Sequence, residues 1–315
     1  MLKFFIVLVL LVSVSFGCKM QWKYGESSNG CMIVDGQKRE FRYFIPEHAK
    51  GVILPLIVGL HGGGGNPKRF EKYTRFSIIS EKTASFIVVY PKGKNKHWND
   101  GRKGLNENID DVKFIESLIN IVPRVDKTEI YVTGMSNGGI MTQRLACDIP
   151  NKISGIAVVA STMTNKLYNK CKTNKPIPAL FVFGDKDTSF IKNGNIVSPL
   201  NQEKSRGRHI GIIKTINYWS KRNKCKKRED LGKKLNKHTA SFGKFKDDGT
   251  KIRIYNYEGC EKRLRFYDVQ GGGHRWPDES ASNGFMIKKA MNVGSASHEI
   301  NTADEIVDFF QLIKR

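Results

Sequence analysis

The chain has 315 residues, of which 39% are hydrophobic and 26% charged, with 30 Gly, 10 Pro and a formal net charge of +23. This composition excludes collagen-like, low-complexity and multi-span membrane proteins. Lys and Arg number 53 against 30 Asp and Glu, and they are densest at 221–246, where eleven face only Glu229 and Asp230. No helix-turn-helix, zinc-finger spacing or aromatic RNA-binding signature accompanies the excess, so nucleic acid is not expected as a partner. The reading is a solvated basic surface able to meet an anionic surface or polysaccharide. No protein partner can be inferred.

At the N-terminus, Met1-Leu2-Lys3 precedes an apolar run at 4–16, followed by Gly17 and Cys18. That run is shorter than the roughly 20 residues needed to span a bilayer. A basic start, a short apolar centre and small residues before a cut describe a signal peptide at 1–17. Export is therefore expected, with lipid attachment at Cys18 as the alternative to release, although Ser15-Phe16 is a poor match to the Leu-plus-small pair of lipoproteins. The six cysteines at 18, 31, 147, 171, 225 and 260 include no C-x₂-C pair. In an exported chain they read as disulfide partners rather than metal ligands, and sequence proximity favours 18–31, 147–171 and 225–260.

No repeat or Pro/Ser linker divides residues 18–315, which read as one domain. Short apolar runs recur at 51–60 (GVILPLIVGL), 85–90 (SFIVVY), 129–133 (EIYVT), 155–160 (GIAVVA) and 179–184 (ALFVFG). Such runs suit strands buried on both faces of a parallel sheet. Helix-period patterns lie at 109–121, 139–146, 210–219 and 301–313, where Asn301 or Thr302 can cap. A basic insert at 221–251 precedes two further strands, at 251–257 and 264–269. Alternating strands and helices predict a doubly wound, mostly parallel α/β domain with helices on both faces.

Gly134-Met135-Ser136-Asn137-Gly138 fits G-x-S-x-G and stands between a predicted strand and a predicted helix, the setting of a nucleophile elbow. A serine hydroxyl needs a base, and the base needs an orienting acid. Downstream, the strand at 179–184 ends in Asp185-Lys186-Asp187, and either Asp stands at a strand end. Among later histidines, His274 follows Gly271-Gly272-Gly273 at the end of another strand. An oxyanion hole is expected from backbone N–H groups of Gly62 and Gly63 in LHGGGGN (60–66) and of Asn137. The four glycines lack the Lys-Ser/Thr ending of a phosphate-binding P-loop. Asp110-Asp111, at a predicted helix start, read as structural carboxylates. Trp98 and Trp276 flank the site in sequence and are candidates for lining a substrate pocket.

Taken together, LHGGGGN (60–66), WND (98–100), IDDVKFIESLI (109–119), YVTGMSNGGIMTQRLAC (131–147), ALFVFGDKD (179–187), YEGC (257–260), GGGHRWPD (271–278) and NTADEIVDFF (301–310) resemble the secreted α/β-hydrolase family of polyhydroxybutyrate depolymerases and feruloyl esterases. The resemblance covers 37–313. It implies Ser136 as nucleophile, His274 as base and Asp187 rather than Asp185 as acid, with disulfides joining Cys225 to Cys260 and Cys147 to Cys171. Here Thr188-Ser189-Phe190-Ile191 replaces the family's Val-Pro-Tyr-like turn after the acid, so the Asp185/Asp187 choice stays open. The expectation is a secreted serine esterase that needs no metal or cofactor and acts on feruloyl-type or 3-hydroxyalkanoate-type esters, small or oligomeric. A peptidase on the same fold and a non-catalytic exported binder using the basic surface are the rivals.

Overall fold

A computed structural model describes residues 18, 20–190, 208–234, 248–278 and 294–313. The expected signal peptide at 1–17 and the basic residues at 235–246 lie outside the described residues.

The chain opens with a hairpin that the run of apolar strands does not contain. β1 (Ser28–Val34) and β2 (Gln37–Phe44) pair antiparallel. Asp35 and Gly36 turn between them, both at positive φ (47° and 72°), the conformation a two-residue hairpin requires. Then follow β3 (Leu54–Leu60), α1 (Pro67–Thr74), α2 (Phe76–Thr83), β4 (Ile87–Pro91), α3 (Asp111–Ile121), β5 (Val125–Met135) and α4 (Asn137–Asp148). Next come β6 (Gly155–Val159), α5 (Asn165–Lys170), β7 (Ala179–Gly184), α6 (Ile212–Arg222), β8 (Lys227–Lys234), β9 (Lys251–Glu258), β10 (Leu264–Gln270) and α7 (Thr302–Phe309).

The strands form one sheet in the order β1-β2-β4-β3-β5-β6-β7-β10-β9-β8. The run from β4 through β10 is parallel, while both flanks are antiparallel. Side chains alternate across the sheet as the pleat demands. Leu56, Val58 and Leu60 of β3 pack on one face with Phe114, Ile115, Ile140, Leu145 and Trp219 of α3, α4 and α6. Ile57 and Tyr90 face the other way, toward Phe70 and Phe76 of α1 and α2, Ile306 of α7 and Phe310 just after it. The sheet is thus doubly wound, with helices on both faces.

Disulfides join Cys18 to Cys31, Cys147 to Cys171 and Cys225 to Cys260, so the Cys18 sulfur is occupied. The described part of the basic stretch is less free than its sequence suggests. Arg222 is buried, donates to the carbonyls of Lys175 and Ala146 and lies over Trp219. Lys224 pairs with Glu261 and Lys227 with Glu258. Among the described residues, 227–234 (KREDLGKK) form the outermost strand β8, bonded to β9, with a register break between Asp230 and Lys233.

Candidate active site

Strands β5, β7 and β10 run in the same direction, so their carboxyl ends share one sheet edge. The residues that follow them are Ser136, Asp185 to Asp187, and Gly271 to His274. The fold therefore gathers at one edge groups that lie up to 138 positions apart in sequence.

Ser136 sits between β5 and α4 with φ 56° and ψ −123°. A non-glycine residue held in that region costs about 1–3 kcal/mol and persists only where its surroundings enforce it. They do so through close backbone approach. A methyl built on Gly138 would stand 2.2 Å from the Leu60 carbonyl oxygen, and one on Gly134 would stand 2.4 Å from the Gly138 oxygen. Only glycine lets helix α4 start so near the end of β3. The Ser136 amide is tied to the Val159 carbonyl at 3.1 Å.

Asp187 and His274 form a nearly solvent-free pair, with His274 Nδ1 2.8 Å from Asp187 Oδ2. The other carboxylate oxygen, Oδ1, accepts the backbone N–H groups of Ser189 (2.7 Å) and Phe190 (3.0 Å). Both oxygens therefore accept, which places the imidazole proton on Nδ1 and leaves Nε2 with its lone pair. The Phe190 ring lies 5.4 Å from the His274 ring, centroid to centroid. Asp185 has a different partner, since its Oδ1 accepts the Gly271 N–H at 2.7 Å.

Above Ser136 lies the glycine loop. Methyls built on Gly62 and Gly63 would fall 3.5 Å from Ser136 Cβ and 3.7 Å from Asn137 Cβ. Among the described residues, the N–H groups of Gly62, Gly63 and Asn137 donate to no acceptor. The peptides that carry the two glycine N–H groups are pinned from behind. Trp98 Nε1 donates to the His61 carbonyl at 2.8 Å. The Gly62 carbonyl accepts from Gly65 N–H and lies 2.8 Å from His61 Nδ1. His61 Nε2 accepts from Gly93 N–H, so the proton is on Nδ1 and the ring donates to Gly62. Burial, the largest influence, lowers the His61 pKa to about 4 and keeps the ring neutral. Because C=O and N–H point oppositely across a trans peptide, both amide directions are fixed before any ligand arrives.

Asn137 links this loop to a buried polar cluster. Its Oδ1 accepts Trp98 N–H at 2.8 Å and its Nδ2 donates to Asp100 Oδ2 at 2.6 Å. Asp100 is paired in turn with Arg102 at 2.7 Å. Arg102 Nη1 lies 3.5 Å from Nε2 of His209, whose pKa is lowered to about 3, chiefly by burial. His209 meets Phe190 edge-on at 4.7 Å, which closes the path back to His274. None of His61, Asp100, Arg102, Phe190 or His209 is a candidate on sequence grounds. WND marks Asp100 as part of a motif, but nothing local signals its partners.

The pocket-lining expectation for the two tryptophans needs correction. Trp98 and Trp276 do not line an open pocket, because both are fully buried. Trp98 serves as the indole tie just described, and Trp276 packs edge-on against Phe70 and Phe76. Asp110 caps α3 by accepting Lys113 N–H at 2.9 Å. Asp111, buried, bonds Arg39 at 2.5 Å and Asn99 N–H at 2.7 Å, which ties β2 to the 98–102 loop.

Residues 40–169 match the family described as Esterase PHB depolymerase. "Putative esterase NocK" of Nocardia uniformis subsp. tsuyamanensis is 25% identical over 295 residues, covering 88% of this chain and 80% of that protein. "Probable feruloyl esterase C" of Aspergillus clavatus is 26% identical over 190 residues, covering 58% of this chain and 65% of that protein. Among solved structures, an acetyl xylan esterase from Aspergillus awamori superposes with a TM-score of 0.54 at 14% identity, covering 90% of this chain and 99% of the other. The shared architecture is the α/β-hydrolase fold.

Proposed function

We propose that this esterase of the α/β-hydrolase type, whose residues 40–169 match the Esterase PHB depolymerase family, works by a serine mechanism in which Ser136 is the nucleophile, His274 the general base and Asp187 the acid that orients it. The observation that carries this reading is the Asp187–His274 hydrogen bond at 2.8 Å, on the same sheet edge as a Ser136 held in a strained elbow. His274 Nε2 takes the Ser136 hydroxyl proton as Oγ attacks the ester carbonyl carbon. The N–H groups of Asn137 and of the Gly62–Gly63 turn receive the negative charge that develops on the carbonyl oxygen; one such donor is worth about 10²–10³ in rate. The tetrahedral intermediate collapses, the carbon–oxygen bond to the alcohol breaks, and the imidazolium protonates the departing alcohol. Water then repeats the sequence on the acyl-enzyme and returns free serine and a carboxylic acid. No metal or cofactor is called for.

The esters proposed are of feruloyl or 3-hydroxyalkanoate type, and the protein is proposed to work outside the cytoplasm, where its three disulfides would persist. An ester panel of methyl ferulate, a short-chain nitrophenyl ester and a hydroxybutyrate oligomer, run with the purified protein and with Ser136→Ala, tests the reading. Hydrolysis that disappears in the variant is expected. An unchanged rate in the variant, or a wild type inert toward all three, would overturn it.

A further inference from the structure

Beside the nucleophile elbow runs a cleft of about 730 Å³, bounded by the 99–107 loop, the outer face of α4, and α5 with the residues after it. Asp100 and Arg102 line its inner end, and Asp100 accepts from the buried side chain of Asn137, next to Ser136, so one side chain separates this wall from the elbow. The walls are fixed at both ends. Arg144 Nη1 donates to the Asn99 carbonyl at 2.5 Å, and the Cys147–Cys171 disulfide joins α4 to the end of α5. The cleft is therefore in place before a ligand enters.

Its charges do not cancel. Arg102 is spent on Asp100 and Arg144 on Asp148, while Glu107, which accepts the Gly104 N–H at 2.7 Å, keeps its negative charge and offsets one of the three remaining cations. Lys166, Lys170 and Lys172 line the same cleft, are exposed, and pair with no carboxylate among the described residues. Lys166 and Lys170, four residues apart on α5, present like charges on one helix face, an arrangement that disfavours the helix unless an anion lies between them. Leu167 is the single apolar side chain on the walls, and the remaining lining is amide, carboxylate and cation. A polyester chain, with a methyl on every repeat and no hydrogen-bond donor, gains little from such walls. A hydroxylated chain bearing carboxylates meets both the amides and the lysines.

We propose that this cleft is a subsite for a carboxylate-bearing oligosaccharide, which would form the alcohol side of the ester cleaved at Ser136. Only the last clause rests on the serine-esterase reading. Binding is therefore measured without catalysis, by calorimetry on the full-length Ser136→Ala protein with three probes: an oligogalacturonate, a neutral xylo-oligosaccharide of equal length, and the free acid of a hydroxybutyrate trimer. The oligogalacturonate is expected to bind at least ten-fold more tightly than either other probe. Its affinity should fall at least ten-fold when Lys166→Glu, Lys170→Glu and Lys172→Glu are combined. The same three lysines changed to Ser should give a smaller loss, which guards against a misfolded charge reversal. Placed in the wild-type background, the charge reversals should leave turnover of a short nitrophenyl ester unchanged, and that assay separately reports on the esterase reading. Equal affinity for all probes, tighter binding of the hydroxybutyrate acid, or undiminished oligogalacturonate binding in the triple variant would each overturn the proposal.

Discussion

The Asp187 carboxylate offers a substitution whose outcome the geometry dictates. In Asp187→Asn one oxygen becomes an NH₂ group, and two orientations of the new amide compete. Ser189 N–H and Phe190 N–H both point at Oδ1, at 2.7 and 3.0 Å. Turning the NH₂ toward them would set donors against two donors in a buried site, where each unsatisfied group costs about 1–3 kcal/mol. The amide oxygen therefore stays with the two backbone groups and the NH₂ faces His274 Nδ1. That nitrogen must now accept, so the imidazole proton moves to Nε2, the atom that should receive the serine proton. The same tautomer inversion in serine hydrolases generally costs about 10⁴ in kcat, or about 5 kcal/mol of transition-state stabilisation. The fold should hardly notice, because the bonds to Ser189 and Phe190 survive. Asp185→Asn is the internal control, since its oxygen can go on accepting from Gly271 and activity should stay within a few-fold. Steady-state kinetics on a nitrophenyl ester, with thermal unfolding alongside, reads both. Loss in Asp185→Asn with near-normal Asp187→Asn would refute the assignment. Loss in Asp187→Asn accompanied by a collapsed unfolding temperature would refute the tautomer argument.

Trp98→Phe keeps an aromatic ring but removes the donor to the buried His61 carbonyl and leaves a small cavity; it should cost about 1–3 kcal/mol of stability for the lost donor, with a further cavity cost, and lower kcat roughly ten-fold or more with little change in KM, since a positioned oxyanion donor acts in the transition state. An unaffected kcat would mean that the glycine loop needs no indole. Gly138→Ala drives a methyl to 2.2 Å from the Leu60 carbonyl oxygen, and loss of soluble folded protein is expected; a crystal structure of an undistorted variant would contradict the close-approach argument. Stability should also fall as pH drops below about 6.5, because His61 and His209 resist protonation in the folded state down to about 4 and about 3 while their unfolded forms take up a proton near 6.5. The unfolded chain then binds more protons, stability that is complete above that pH is lost on acidification, and His61 alone accounts for roughly 3 kcal/mol by pH 4. A urea midpoint that is the same at pH 7 and pH 5 would rule this out.

What could be read from sequence follows the physics of burial. The strands from β3 to β7 are sandwiched between helices, so they are nearly continuous apolar runs and stand out. The β1–β2 hairpin does not, since QKREFRYF of β2 alternates charged with apolar residues and has only Asp35-Gly36 to announce it. Likewise α1 (PKRFEKYT) is two turns long and buries Pro67, Phe70, Glu71 and Thr74, of which Phe70 alone is a large apolar side chain, too short a span for a period to emerge. At the site, glycine is informative because it is demanded by close approach at Gly134 and Gly138, and those constraints are local. The ties among His61, Trp98, Asp100, Arg102, Asn137 and His209 are not local. Arg102 and His209 stand 107 positions apart, and no spacing rule links them. Trp98 and Trp276 mislead in the opposite direction, because proximity to a motif in sequence says nothing about which way a ring faces. Their indoles face inward, one as a tie and the other as packing.

The open sheet leaves β1 and β8 at its two margins. A strand with a free backbone edge is a template on which another copy can add its own strand, the usual beginning of aggregation. At the β8 margin, KREDLGKK holds four basic residues, and the register break with Gly232 at φ 80° interrupts a flat bonding edge. Two copies approaching along that margin would bring like charges together with mismatched hydrogen-bonding groups, under a formal net charge of +23 that already repels them. The basic segment thus has a colloidal consequence apart from any ligand: like charge along that margin disfavours the strand-on-strand addition that an open edge invites. That protection weakens as salt rises, because screening shortens the reach of the repulsion.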